Sequence, residues 1–258
     1  MLIRVGTMNE SIEIKENERV DQLYSQNVKI IQSPEVFSFS LDAVLLADFA
    51  QFKSTAKIKI MDLCAGNGAI GLFASQKTKG QIDQIELQEK LADMGKRSIL
   101  LNGLENQVHM HQLDLANTFT KFSKDSFDYV LCNPPYFKNE VSSKKNPNPY
   151  LAIARHEIKT SLSQVLQVAS GLLKMNGKLY LVHRPDRFLD ILNTLKENRL
   201  MPKRIRLIYP KRHQEANMVL IEAIKDGRPD GIRFLDPLYT YEGTEYSSEV
   251  KGLLYGNR

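Results

Sequence analysis

The sequence predicts an α/β fold in which a mostly parallel sheet carries helices on both faces, and three observations support it. From residue 58 onward, strand-like and helix-like segments alternate along the chain, the order produced when helices connect parallel strands. The turn DLCAGNGAIG joins the first of these strands directly to the first helix. The last two strand-like runs are separated only by PKRHQEAN, which is too short for a helical crossover, so this pair should be antiparallel.

Hydrophobic pattern and turn residues locate the individual elements of this series. Strands are predicted at residues 58–63, 82–86, 108–113, 127–132 and 178–182, the last one after the turn Asn176-Gly177. Helices are predicted at residues 69–75, 88–102, 161–173 and 188–198. The antiparallel pair occupies residues 205–209 and 218–223, which gives a seven-stranded sheet whose last strand is antiparallel.

The ends of the chain depart from this alternation. Residues 19–32 look like short strands, and Ser40 can cap a helix that begins near Leu41. We therefore predict a short N-terminal extension with strands at 1–30, one α/β domain at 31–225 and a C-terminal tail at 226–258. The stretch 141–149 and the tail are rich in residues that favour flexible loops.

Composition limits the classes of protein to consider. The chain has 258 residues, of which 42% are hydrophobic and 25% are charged, as in ordinary soluble globular proteins. There is no apolar run of the ~20 residues that a membrane helix needs, and the first residues lack the apolar segment of a secretory signal. The two cysteines do not suggest a disulfide framework. We expect a cytoplasmic protein without membrane association, and a monomer.

The net charge of +5 permits an anionic partner such as RNA. A solvated, lysine-rich surface explains the charge equally well. Charge alone therefore does not identify the partner.

The glycine-rich turn contains a GxGxxG pattern at Gly66, Gly68 and Gly71. Glycines allow the backbone to turn sharply and to approach a ligand without a clash with Cβ. Glu86 ends the next predicted strand, where its carboxylate can accept hydrogen bonds from both hydroxyls of an adenosine ribose. This pattern is compatible with a dinucleotide site and with an S-adenosylmethionine site.

Two further acidic residues help to choose between these cofactors. Asp62, four residues before Gly66, suits a cationic aminoacyl group and would repel a pyrophosphate. Asp114 follows the third strand, where it could accept a hydrogen bond from an adenine amine. The pattern therefore favours S-adenosylmethionine, while a tight turn without any ligand remains the structural alternative.

The fourth predicted strand is followed by Asn133-Pro134-Pro135-Tyr136, at the carboxyl end of the sheet where open α/β proteins bind ligands. The Asn133 side-chain oxygen and the Pro134 carbonyl could accept both N–H groups of a planar exocyclic amine, and Tyr136 offers a flat face for a base. An amine held in this way needs no strong general base, because positioning and dipoles provide most of the acceleration. The alternative is a proline-rich turn without a catalytic role.

At these residues the chain resembles the N6-adenine and N5-glutamine amino-methyltransferases, which share a [D/N]PP[Y/F] motif, and its sheet matches the Rossmann-like fold of class I S-adenosylmethionine-dependent methyltransferases. It is more similar to bacterial tRNA methyltransferases that modify adenosine 37, next to the anticodon, in a valine tRNA. The closer resemblance rests on VKIIQSPEVFSFSLDAVLLADFA, DLCAGNGAIGL, CNPPYF, ARHE and NMVLIEA, and it covers roughly residues 19 to 240.

The resemblance implies N6-methylation of an adenine in tRNA, with S-adenosylmethionine as donor and S-adenosylhomocysteine as product. The histidines show no zinc-like spacing with the cysteines, so we expect no metal. The residues that the resemblance implies for the cofactor are Asp62, Ala65, Gly66, Gly68, Glu86, Leu87, Asp114, Leu115 and Asn133. The residues it implies for the adenine, and hence for catalysis, are Asn133, Pro134, Pro135 and Tyr136.

Basic residues could bind tRNA phosphates around a flipped base. The candidates are Lys138, Lys144 and Lys145, which follow residues 133–136, and Arg184, Lys211 and Arg212. The last three belong to a late cluster that also contains Arg187, Lys203, Arg204 and Arg206. The alternative for each residue is a solvated surface position.

Other functions remain open from the sequence. The same chemistry could act on rRNA guanine N2, DNA adenine N6 or protein glutamine N5. A nicotinamide oxidoreductase would explain the glycine pattern but would leave residues 133–136 without a role. A catalytically silent RNA-binding or chaperone protein would leave both motifs without a role.

Overall fold

A computed structural model describes residues 2–4, 11–36, 40–137, 157 and 159–256. Two antiparallel pairs precede the core: β1 (Leu2–Arg4) with β2 (Ser11–Glu13), and β3 (Arg19–Leu23) with β4 (Val28–Gln32). The second pair confirms the strands predicted at residues 19–32.

Helices lie between most of the strands of the described chain. Their bounds are α1 (Leu41–Phe49), α2 (Ala69–Ser75), α3 (Glu89–Leu101), α4 (Thr118–Lys121), α5 (Leu162–Leu172), α6 (Phe188–Glu197) and α7 (Ser248–Tyr255). Helix α1 begins where predicted, with Ser40 at the N-cap position, but the Ser40 hydroxyl donates to the Asp42 carboxylate instead of accepting from the backbone.

A large sheet forms the centre of the protein. Its main strands are β5 (Lys59–Leu63), β6 (Gln81–Glu86), β7 (Val108–Gln112), β8 (Phe127–Cys132), β9 (Leu173–His183), β10 (Leu200–Tyr209) and β11 (Met218–Lys225). They lie in the order β10-β11-β9-β8-β5-β6-β7, and β11 is antiparallel to both of its neighbours. The strands from β5 to β9 pair in parallel. The predicted fold class is confirmed.

The sheet is wider than the seven strands predicted. Two short strands, β12 (Arg233–Phe234) and β13 (Leu238–Tyr239), pair in parallel with β10 and bring the total to nine among the described residues. A hairpin of β14 (Tyr241–Glu242) and β15 (Glu245–Tyr246) follows. These elements lie within residues 226–258, so that segment has regular structure that its glycines and prolines did not predict.

The end of the chain packs on its beginning. Val250 of α7 is fully buried and belongs to the same apolar cluster as α1. The Ser25 hydroxyl, between β3 and β4, donates to the carbonyl of Leu253 at 2.5 Å. The apolar residues of α7 therefore anchor the C-terminal segment to the core.

Strand β9 begins five residues earlier than the predicted strand. Leu173 pairs with Phe127 and Lys178 pairs with Tyr129, so the residues between them bulge out of the ladder. Asn176 adopts a positive φ of 61° within this bulge. The predicted turn is present, but inside the strand.

Side chains alternate between two apolar clusters on opposite faces of the sheet. One face carries Ile60 and Leu131 toward α1 and α2, and the other carries Met61 and Val130 toward α5. Strands buried on both faces are typical of parallel sheets covered by helices. The carboxyl ends of β5 to β9 consequently meet at one edge.

A buried ion-pair cluster joins the antiparallel end of this sheet. Glu222 of β11 is 2% exposed and accepts hydrogen bonds from Lys178 Nζ of β9 at 3.0 Å and from Arg204 Nη1 of β10 at 2.8 Å. The Arg204 guanidinium lies 4.7 Å from the ring centroid of Phe49 in α1. The Glu222 carboxylate thus links β9, β10 and β11, and through Arg204 it also connects them to α1.

Replacement of Glu222 by alanine should lower the free energy of unfolding by about 3 kcal/mol, because it leaves two cations at a largely desolvated site without their acceptor. Chemical denaturation measures this loss. The matched change Glu197→Ala, at an exposed position of α6, should stay within about 0.5 kcal/mol of the parent. Equal stabilities of the two variants would show that the cluster does not stabilise the sheet.

Candidate active site

A cleft opens at the carboxyl edge of the sheet, and its empty volume is about 1080 Å³ including the mouth. Among the predicted site residues, those that line it are Ala65, Gly66, Glu86, Leu87, Asp114, Leu115, Asn133, Pro134, Pro135 and Tyr136. Residues that line it without having been predicted include Ser40, Asp42, Cys64, Asn67, Gln88, Phe137, Lys159 and Thr160. The structure therefore brings the glycine turn and residues Asn133–Tyr136, which we call the NPPY segment, to one cleft.

Glu86 holds the front of the glycine turn. Its carboxylate accepts from the Gly66 amide at 2.9 Å and from the Gln88 amide at 2.8 Å, and the residue is 6% exposed. Burial raises the pKa of Glu86, although these amides stabilise its charged form. Gly66 has a φ of +58°, a conformation that favours glycine.

Asp62 holds the same turn from behind and does not line the cleft. It is fully buried, and its Oδ2 accepts from the Gly71 amide at 3.1 Å and from Gln84 Nε2 at 2.9 Å. Within the described part of the chain, its Oδ1 has no hydrogen-bond partner. Burial raises the pKa of Asp62 from 3.8 to about 7. The residue thus fixes the start of α2 beneath the turn.

Gln84 explains two of the glycines. Its Nε2 also donates to the Gly68 carbonyl at 3.0 Å. A Cβ at Gly71 would lie 2.4 Å from Gln84 Nε2, and a Cβ at Gly68 would lie 3.0 Å from Gln84 Oε1. Gly68 and Gly71 therefore permit the close approach of the Gln84 side chain, and Gly68 does not line the cleft.

Asp114 follows β7 and lines the cleft. Its Oδ1 accepts from the Ala116 amide at 2.8 Å, which fixes the short helical turn that contains Leu115. Asp114 and Leu115 both line the cleft.

The NPPY segment is attached to α1 through Asp42. Asn133 Nδ2 donates to Asp42 Oδ2 at 3.1 Å, and the Tyr136 hydroxyl donates to the same oxygen at 2.6 Å. Because a carboxylate only accepts, the Asn133 amide nitrogen faces Asp42 and its oxygen points elsewhere. Burial and the Asp42 charge raise the pKa of Tyr136, so its phenol stays protonated.

The segment is also held from its other side. Arg187 Nη1 donates to the Tyr136 carbonyl at 3.3 Å and to Glu157 Oε1 at 2.6 Å. Glu157 accepts from the Leu162 amide at the start of α5. The ring of His183 packs 5.1 Å from the Tyr136 ring, and burial lowers the pKa of His183 to about 4, so that it is neutral. Side chains from several elements thus fix the segment.

The predicted RNA-binding residues divide into three groups. Lys138, Lys144 and Lys145 lie outside the described residues. Arg184 lies over the ring of Phe137 at the mouth of the cleft, with 5.2 Å between guanidinium and centroid. Lys211 and Arg212 are exposed in the turn after β10, at the same edge of the sheet as the cleft.

Several arginines of the predicted late cluster have intramolecular roles instead. Arg187 pairs with Glu157 and Asp190, Arg204 with Glu222, and Arg206 with Glu249. Lys203 donates to the carbonyls of Arg228 and Asp230. These residues are engaged in contacts within the protein, so their clustering in the sequence does not by itself indicate RNA contact.

The cysteines lie beside the cleft as free thiols. Cys132 is fully buried, and burial raises its pKa well above the ordinary value, so it is not a thiolate nucleophile. The described residues contain no group of three or more His, Cys, Asp or Glu placed to hold a metal ion. Nor do they contain a helix that is long and apolar enough to cross a membrane.

Three features define the architecture of a class I methyltransferase. They are the strand order, the glycine turn after β5 with Glu86 at the end of β6, and the NPPY segment directly after β8. The family described as Methyltransferase small domain matches residues 27–199 of this chain. The chain belongs to this family, as the sequence predicted. A nicotinamide oxidoreductase is therefore not supported.

Two curated relatives carry the name tRNA1(Val) (adenine(37)-N6)-methyltransferase. The protein from Cytophaga hutchinsonii is 28% identical over 129 residues, which cover 50% of this chain and 52% of the relative. The protein from Shewanella woodyi is 29% identical over 146 residues, which cover 55% of this chain and 58% of the relative. The chain thus spans about half the length of these relatives.

Solved structures share the fold at lower identity. A predicted O-methyltransferase from Agrobacterium tumefaciens has a TM-score of 0.66 at 23% identity, with coverage of 83% of this chain and 96% of that chain. Geranyl diphosphate C-methyltransferase from Streptomyces coelicolor, solved with S-adenosyl-L-homocysteine, has a TM-score of 0.54 at 15% identity, with coverage of 72% and 80%. These likenesses support the fold assignment.

The buried carboxyl of Asp62 predicts a pH-dependent stability. The folded-state pKa of Asp62 is about 7, above the ordinary value of 3.8. Its contribution to the free energy of unfolding is therefore fully present below pH 3.8 and is lost as pH rises through 7. The Asp62→Asn variant lacks this titration. The free energy of unfolding of the wild type, relative to the variant, should fall by on the order of 2 kcal/mol between pH 5 and pH 8.

Urea unfolding at pH 5, 6, 7 and 8 measures this difference. Asp230→Asn, at an exposed position, serves as the control. The difference in free energy of unfolding between the wild type and this variant should be the same at all four pH values. A constant difference for Asp62→Asn as well would mean that Asp62 is ionised throughout this range.

Proposed function

We propose that this chain is an S-adenosylmethionine-dependent methyltransferase that methylates the exocyclic amine N6 of an adenine in tRNA. The observation that carries the proposal is the orientation of Asn133. Its amide nitrogen is bound to Asp42, which leaves its oxygen as a hydrogen-bond acceptor in the same cleft as Glu86 and the glycine turn. An oriented acceptor is what a planar amine substrate requires.

The cleft fits the cofactor on three counts. Glu86 presents a carboxylate that can accept from ribose hydroxyls, and Asp114 presents one that can accept from an adenine amine. Leu87 and Leu115 supply apolar walls. A Cβ at Gly66 would meet no atom within 4 Å, so the backbone of the turn, with Ala65, faces open space that a ligand can occupy.

Asp62 and Gly68 have a different role in this proposal. Both lie behind the turn, so they position the backbone at Ala65 and Gly66 and do not touch the cofactor. When bound, S-adenosylmethionine would supply a sulfonium methyl group for transfer to the amine nitrogen, with S-adenosylhomocysteine as the leaving group.

The NPPY residues hold the amine for this transfer. Asn133 Oδ1 and the Pro134 carbonyl accept its two N–H groups, and the Tyr136 ring supports the base. Acceptor dipoles stabilise the positive charge that develops on nitrogen. The surplus proton leaves to solvent afterwards, because the methylated ammonium is a strong acid. No residue of the cleft has to act as a general base.

The choice of tRNA rests on the surface charge and the relatives. Arg184, Lys211 and Arg212 lie at the same edge of the sheet as the cleft, where cations can bind the phosphates flanking an extruded base. We further propose that Lys138, Lys144 and Lys145 contribute to the binding of tRNA phosphates. The curated relatives are named for adenine 37 of a valine tRNA, and we propose the same nucleotide here.

Methyl transfer to unmodified total tRNA, with labelled S-adenosylmethionine and nucleoside mass spectrometry, tests the proposal. The wild type should form N6-methyladenosine. Asn133→Ala should lower the rate by about 100-fold, because one acceptor for the reacting amine is lost. The matched change Asn193→Ala, at an exposed position of α6, should leave the rate within about 2-fold.

If the protein binds S-adenosylmethionine but the tRNA acquires no label, tRNA is not the substrate. The same assay would then be applied to rRNA, DNA and protein glutamine, with guanine N2, adenine N6 and glutamine N5 as the amines to examine. Equal rates for wild type and Asn133→Ala would overturn the assigned site.

A further inference from the structure

We propose that Asp42 is a positioning residue that fixes the Asn133 carboxamide and the Tyr136 phenol, and that the residues at positions 42 and 133 form an obligatory carboxylate–amide pair. This inference rests on the proposed function for its catalytic consequence. Asp42 lies in the first turn of α1, is 5% exposed and lines the cleft.

Four donors surround the Asp42 carboxylate. Oδ1 accepts from the Ser40 hydroxyl and from the Ala43 amide, the latter at 3.1 Å. Oδ2 accepts from Asn133 Nδ2 and from the Tyr136 hydroxyl. A carboxylate is the side chain that can accept from all four, since it carries no donor when ionised.

This arrangement determines the direction of the Asn133 amide. If the amide were rotated by 180°, its oxygen would face a carboxylate oxygen about 3.1 Å away, and two acceptors would be opposed without a proton between them. The rotation would also replace the acceptor offered to the substrate amine by a donor. Asp42 therefore selects the rotamer in which Asn133 Oδ1 is available.

The pairing also accounts for asparagine at position 133, where the motif permits aspartate or asparagine. An aspartate there would bring two carboxylates within about 3.1 Å, and one of them would have to bind a proton. With Asp42 present, an amide at position 133 donates to the carboxylate, so neither group has to bind an additional proton. The two positions are 91 residues apart in sequence and should be interdependent.

The helix that carries Asp42 is itself held at its other end. Lys77 Nζ donates to the carbonyl of Ala47 in the last turn of α1 at 2.9 Å, and to that of Ala50, directly after the helix, at 2.7 Å. Phe49 packs edge-on to Tyr180 at 6.0 Å. Because α1 is fixed at both ends, Asp42 provides a stable reference for the NPPY segment.

A double-mutant cycle tests the pair, with Asp42→Asn, Asn133→Asp and the reciprocal double variant. Asp42→Asn should reduce the single-turnover rate of methyl transfer by about 10-fold or more, with the affinity for S-adenosylmethionine within about 2-fold of wild type. Asn133→Asp should also be slow at neutral pH. In the double variant, the amide introduced at position 42 can donate to the carboxylate introduced at position 133, so its rate should exceed that of either single variant.

The control for the cycle is Asp48→Asn, the same change at an exposed position of α1, which should transfer methyl groups at the wild-type rate. Thermal unfolding of every variant establishes that each is folded. The pairing would be overturned if the fold-reduction in rate of the double variant equals the product of the fold-reductions of the two single variants. It would also be overturned if Asp42→Asn transfers methyl groups at the wild-type rate.

A second measurement does not depend on the substrate. In ¹⁵N-labelled protein, the Asn133 carboxamide signals, assigned by their loss in Asn133→Ala, should be dispersed and slow to exchange. In Asp42→Asn they should move toward the values of a free amide, while Asp48→Asn leaves them in place. Unchanged signals in Asp42→Asn would overturn the positioning role. If the wild type methylates no tRNA, the proposed function fails, and this measurement alone decides the role of Asp42.

Discussion

The site depends on one sharp turn, in which the chain leaves β5 and enters α2 within a few residues. Two buried carboxyl groups hold this turn from opposite sides. Asp62 accepts from the Gly71 amide beneath it, and Glu86 accepts from the Gly66 amide at its front. Amides at the start of a helix lack partners within the helix, so both acidic residues satisfy donors that the turn itself exposes. The position of the backbone at Ala65 and Gly66 follows from these contacts.

Acidic residues are concentrated at and beneath the cleft. Asp42, Asp62 and Glu86 are all nearly or fully buried at or beneath the cleft, and buried acids are costly unless donors or cations accompany them. Backbone and amide donors supply part of that compensation. A cationic ligand would supply more, whereas a pyrophosphate would add repulsion. This electrostatic pattern favours the proposed sulfonium cofactor and disfavours a dinucleotide for a reason independent of the glycine spacing.

Local signals made much of the fold predictable. Helix α2 and strand β8 have the predicted bounds, because glycines mark the start of one and a run of apolar and aromatic residues marks the other. The antiparallel pair of β10 and β11 followed from the short linker between them. The C-terminal segment was less predictable, because its short strands gain stability from the edge of β10 and from α1, and not from their own sequence.

The candidate site was predictable where its residues lie in one motif and not where they meet from distant segments. Asp42 was part of a segment noted for its resemblance, but its contact with Asn133 spans 91 residues and has no periodic or spacing signal. Asp62 was assigned to the ligand because of its place before the glycines. In the structure the residue lies behind the turn, where its carboxylate accepts from Gln84 of the neighbouring strand and from the Gly71 amide.

The basic residues illustrate the same difference between composition and structure. Arg187, Arg204 and Arg206 each have an acidic partner fixed by the packing of strands and helices. Arg184 also has one, Asp186, but that ion pair is exposed to solvent. Arg184 lies over Phe137 at the mouth of the cleft, and Arg212 lies over Tyr239, so both guanidinium groups are placed against exposed or half-buried rings. A guanidinium held flat against a ring keeps its edge free to donate to phosphate. These arginines could therefore bind RNA without first breaking a buried ion pair.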